Sequence, residues 1–64
     1  MSKFYLKKRE MVTYEESRIL IWDVEADNWE EAKKAAFIDM NEGDVLVECS
    51  SDFNEKSCIK RAVL

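Results

Sequence analysis

Ile19-Leu20-Ile21-Trp22-Asp23-Val24-Glu25-Ala26-Asp27-Asn28-Trp29-Glu30-Glu31-Ala32 decides the fold, because its periodicity changes partway along. Up to Ala26 the side chains alternate. Leu20, Trp22, Val24 and Ala26 point one way, and Ile19, Ile21, Asp23 and Glu25 point the other. β-branched and aromatic residues pack well on a pleated surface, so residues 18–26 read as a strand. From Asp27 the period becomes helical. Asp27 or Asn28 can accept a hydrogen bond from the free N–H groups of a first helical turn. Asp27 to Glu30 and Asn28 to Glu31 both have the spacing of a capping box. Trp29, Ala32, Ala36 and Met40 form one stripe at about 100° per residue, with the small alanines inviting close approach to a sheet. Gly43 is the residue expected to end that helix in a left-handed conformation.

Outward from this stretch the chain reads as strands. Residues 3–14 form the first, with Phe4, Leu6, Val12 and Tyr14 on one parity. Lys8 and Glu10 interrupt that face and suggest a bend or bulge. Glu15-Glu16-Ser17 is the expected turn. Residues 45–50 set Val45, Val47 and Cys49 against Leu46, Glu48 and Ser50. Ser51 to Lys56 is a polar turn that contains Phe53. Residues 57–64 set Cys58, Lys60, Ala62 and Leu64 against Ile59, Arg61 and Val63. The expected fold is α+β, a single domain over 1–64 in the order β-β-α-β-β, with one helix packed on one face of an antiparallel sheet.

A chain of 64 residues buries little, so its core is small. With 47% hydrophobic residues, one glycine and no proline it is nonetheless too apolar for a disordered segment. The longest apolar run, Ile19 to Trp22, falls far short of the roughly 20 residues of a membrane span. The opening Met1-Ser2-Lys3-Phe4 has no apolar leader. These features point to a cytoplasmic protein without a membrane partner. In that compartment Cys49 and Cys58 are expected as free thiols, with a cross-link across the last hairpin as the alternative.

The chemistry available is narrow. Histidine is absent, which removes the commonest general base and the commonest metal ligand. Two cysteines without histidine make no structural zinc site within one chain. The lone Gly43 cannot form a phosphate-cradling loop. Asp23, Glu25 and Asp27 alternate on a strand, yet their spacing matches no calcium loop. Neither catalysis, a cofactor nor a metal is expected.

Binding is the remaining class. The net charge is −4, but it is unevenly spread: residues 1–18 and 53–64 are each net basic, and 19–52 are strongly acidic. Lys3, Lys7, Lys8 and Arg9 near one end would join Lys60 and Arg61 from the other if the first and fourth strands were neighbours. Lys7, Arg9, Lys60 and Arg61 are therefore the candidates for contact with an acidic partner. Ile19 and Ile21 lie on the face away from the helix and are the candidates for apolar contact. The expected partner is a protein, with a nucleoprotein complex among the options, or a second copy of the chain as a homodimer. Direct nucleic-acid binding fits an acidic chain less well.

Val24-Glu25-Ala26-Asp27-Asn28-Trp29-Glu30-Glu31-Ala32 also resembles the strand-to-helix junction of small phage and mobile-element proteins with a strand–helix–strand core. The chain is similar to anti-CRISPR proteins of that type in size, element order and lack of enzymatic residues. The resemblance implies an inhibitor that blocks a host or defence complex by steric or electrostatic occlusion. It assigns no individual residue. The alternatives are a nucleic-acid-associated accessory protein using the same basic face and a homodimeric structural subunit.

Overall fold

The computed structural model describes residues 2–64, so Met1 of the expected domain lies outside the described residues. The strands are β1 (Lys3–Met11), β2 (Ser17–Val24), β3 (Val45–Cys49) and β4 (Cys58–Val63), and the helix α1 (Trp29–Phe37) lies between β2 and β3. All pairings are antiparallel, and the strands lie side by side in the order β2-β1-β3-β4. The fold is the expected α+β arrangement of four strands and one helix.

Alternation explains the two faces. Phe4 and Leu6 of β1 sit opposite Val24 and Trp22 of β2, and Leu6 sits opposite Leu46 of β3. Phe4, Leu6 and Leu46 close the main core with Ala32, Ala36 and Met40, and Val24 packs against it, whereas Trp22 remains exposed. Ala32 and Ala36 bring the helix backbone close to the sheet, and fully burying a leucine such as Leu6 or Leu46 contributes about 2 kcal/mol. The capping expectation holds. Asn28 Oδ1 accepts from the Glu31 N–H at 2.9 Å, while the Glu31 carboxylate accepts from the Asp27 N–H at 3.3 Å. The opposite face carries a smaller cluster of Tyr5, Val47 and Cys49, flanked by Val45, Phe53 and Cys58.

The remaining differences from the sequence reading each have a local cause. β1 stops at Met11, so Val12 and Tyr14 belong to the hairpin connection rather than the strand. The Thr13 hydroxyl accepts from the Glu15 and Glu16 N–H groups and turns the chain earlier than residue 15. β1 runs unbroken through Lys8, because that side chain has a partner described below. The helix ends at Phe37, and Gly43 lies beyond it. Gly43 has φ +92 in the turn Asn41–Asp44, closed by the Asp44 N–H donating to the Asn41 carbonyl at 3.0 Å. Its positive φ therefore serves a turn into β3, not a helix terminus.

β4 breaks strict alternation. Lys60 pairs with Glu48, but Cys58 pairs with Cys49, so Ile59 is an extra residue on β4. This bulge moves Cys58 to the parity opposite the expected one and sets it beside Cys49 on the face away from the helix.

Candidate functional site

The sheet face away from α1 is covered over only part of its area. Residues 50–57 leave β3, form a short 3-10 turn (Glu55–Ser57), and return into β4. Asn54 caps this turn by accepting from the Lys56 N–H at 2.9 Å. Phe53 folds back onto the sheet edge-on to Tyr5, with ring centroids 5.6 Å apart. Tyr5, Val47 and Cys49 are thereby buried. Beyond this cover the face is open, and the ladder pairs assemble it row by row. One row reads Ile21, Lys7, Val45, Val63, and the next toward the hairpin tip holds Ile19 opposite Arg9. Ile19 is 53% exposed and Ile21 40%.

Five of the six candidate residues therefore share one face: Lys7, Arg9, Ile19, Ile21 and Arg61. Lys60 does not. β3 separates β1 from β4, so the assumed strand neighbourhood is incorrect, and Lys60 projects on the helix side. There its ammonium lies 5.8 Å from the Trp29 ring centroid, against a ring that also packs on Phe4. Tyr5, on the same face as the five, is closed off from solvent because it lies under Phe53.

The cations of the open face differ in availability. Glu55 reaches from the covering turn to Lys7 at 3.0 Å and to Arg61 at 3.6 Å. The Lys7 ammonium, and less so Arg61, holds the Glu55 carboxyl below its ordinary range. Lys3 is engaged in the same way by Asp52, which it pushes down. Arg9 has no ion-pair partner among the described residues. Its guanidinium and the two isoleucines are the open part of the site.

Lys8, on the opposite parity, is the residue whose role sequence reasoning missed. Its ammonium is 2.8 Å from the carboxylate of Asp44, lies over Trp22 at 5.4 Å from the ring centroid, and donates to the Asp39 carbonyl. Asp44 is only 3% exposed. It also accepts from the Asn41 N–H at 2.8 Å and the Arg9 N–H at 3.4 Å. The hydrogen bond from Lys8 first, and the Asn41 N–H next, hold its carboxyl below the ordinary value. The Arg9 N–H lies just beyond the β1–β3 ladder, which ends at Lys7 opposite Val45. The Asp44 side chain thus takes the place of a further strand residue. A lysine on a core parity was the available signal, since a buried ammonium requires a buried acid.

Cys49 and Cys58 are both thiols, with sulfurs 3.1 Å apart. Burial, and then the Cys49 thiol beside it, push the Cys58 thiol up to about 11. At neutral pH it is protonated, which does not favour a reactive thiolate. Among the described residues no cluster of acidic and cysteine side chains is arranged to hold a metal, and no helix is long and apolar enough to cross a membrane. Comparison with protein-family models, with curated proteins and with solved structures finds no match.

Proposed function

We propose that this chain is a non-catalytic, cytoplasmic protein-binding module that docks through its uncovered sheet face. The observation that carries the reading is the placement of Arg9 opposite Ile19, one row beyond the row that holds Ile21, Val45 and Val63. An unpaired guanidinium set among exposed apolar side chains suits an acidic protein surface with apolar ground between its charges. The absence of histidine supports a non-catalytic role. So does the direction of every resolved carboxylate shift: Asp44, Asp52 and Glu55 are all pushed down by lysine partners, whereas a general acid needs the reverse.

The finer reading is an inhibitor that occludes a host or defence complex, in keeping with the anti-CRISPR resemblance of residues 24–32. Nucleic acid is less favoured as the direct partner. The chain has pI about 4.7, and Glu55 and Asp52 already engage Lys7, Arg61 and Lys3.

The test compares two baits in nuclease-treated lysate: the wild-type chain and an Arg9→Glu/Ile19→Asp variant. A stoichiometric protein retained by the first and lost from the second is the expected result. A protein retained equally by both rejects this face as the docking surface. A protein that the wild-type chain recovers only from a parallel lysate without nuclease moves the reading to the accessory role.

A further inference from the structure

The two edges of the sheet differ in how they meet solvent. β4 carries the bulge at Ile59 and the charged pair Lys60 and Arg61, both devices that discourage pairing with another strand. β2 carries neither. Its eight residues, Ser17 to Val24, pair regularly with β1, and proline, glycine and lysine are absent from them. None of the eight is buried, although four of them are Ile19, Leu20, Ile21 and Trp22. A regular, apolar, unprotected edge presents alternate N–H and C=O groups ready to accept a strand.

We propose that β2 pairs antiparallel with β2 of a second copy, about a twofold axis through Leu20. Such an axis is perpendicular to the sheet, so each residue meets one of its own parity. In this register Leu20 meets Leu20, and Ile19 meets Ile21 on both sides of the axis. Arg18 meets the face of Trp22, and Ser17 meets Asp23. No like charges oppose each other, and the apolar pairs are centred. Moving the axis to Ile21 would set Ile19 against Asp23. Moving it to Ile19 would set Leu20 against Arg18. The strand is therefore self-complementary in one register, which is what an isologous contact requires.

The same edges also explain why assembly stops at two. The joined sheet would have eight strands, and both of its outer edges would be β4. The bulge and charges there blunt further addition. Within one copy, β2 buries nothing completely, so the dimer supplies cover that 64 residues cannot. The inference shares Ile19 and Ile21 with the partner reading but not Arg9, so an Arg9→Glu variant that loses the partner and keeps the dimer tells the two apart.

Sedimentation equilibrium on the wild-type chain from micromolar to millimolar concentration should give twice the chain mass of 7.6 kDa at the upper end. Ile19→Lys/Ile21→Lys places lysines against each other across the axis and should weaken the dimer about a hundredfold or more. Ile19→Glu/Ile21→Glu should do the same. An equimolar mixture of the two variants should restore the dimer, because 19 of each meets 21 of the other. A wild-type chain that stays monomeric overturns the proposal. So does a dimer that persists in the double-lysine variant, since another surface would then hold it. Should either variant fail to fold, amide exchange on the wild-type chain decides: residues 17–24 must gain protection as concentration rises, and protection that does not change with concentration overturns the proposal.

Discussion

β1 passes through two environments. Residues Lys3 to Lys7 have a strand on each side, α1 over one face and, around Tyr5, Phe53 over the other. Residues Arg9 to Met11 have β2 alone beside them and are exposed. The alternation of side chains is the same in both halves. What differs is whether other elements reach them, and in a chain this short they reach only one end. The buried half holds the fold together, and the hairpin beyond it, with Tyr14 90% exposed near its tip, is free to be used.

Mutations separate the two halves by the size of their effect. Leu46 is fully buried between Leu6 and Ala62, so Leu46→Ala should cost about 2–5 kcal/mol. A chain of 64 residues has only about 3–10 kcal/mol in total. Denaturant unfolding should therefore find this variant unfolded or nearly so, and a loss below about 1 kcal/mol would show that the buried half is not the seat of stability.

Asp44 stands at the boundary. Asp44→Ala strands the Lys8 ammonium and releases two backbone donors, a loss of about 3 kcal/mol. The effect should depend on pH. The Asp44 carboxyl titrates below its ordinary 3.8 in the folded chain. Its contribution is therefore complete above that value and is lost as pH falls through the lower, folded one. Thermal unfolding of the wild type and of Asp44→Asn should converge on acidification below pH ~4, and a gap that is constant with pH would exclude the ion pair as its source. Ile19→Ala should be the smallest change, within about 0.5 kcal/mol, measured by denaturant unfolding at a concentration that keeps the chain monomeric. A loss as large as that of Leu46→Ala would erase the distinction between the halves.

Local patterns in the sequence account for much of this. The alternation through β2 and a cap at Asp27 or Asn28 were legible because each depends on neighbours a few residues apart, and the structure selects Asn28. So was the grouping of Ile19 and Ile21 on the face away from the helix. Strand order was not, because it depends on which strand β3 chooses after the helix. The choice of β1 put β3 between β1 and β4, leaving Arg61 on the open face with Lys7, and Lys60 on the other. The bulge at Ile59 was hidden as well. Nothing in Cys58-Ile59-Lys60-Arg61 departs from alternation until Cys58 must meet Cys49. Phe53 looked like an aromatic misplaced in a polar turn, and only the path of residues 50–57 makes it the cover of Tyr5. Gly43 was read correctly for its backbone conformation and wrongly for its use, since a helix end and a turn into a strand can both call for a positive φ.

Asp44 ends the β1–β3 ladder with a side chain rather than a main chain, and this gives the molecule a clean seam. Everything from Glu10 to Arg18 hangs beyond that seam, joined by two strands and tied to each other by the Arg18–Glu10 ion pair. Changes of length or sequence there leave every core contact in place. The body can thus serve as a chassis on which the projecting hairpin is exchanged, by selection or by a designer, without solving the folding problem again.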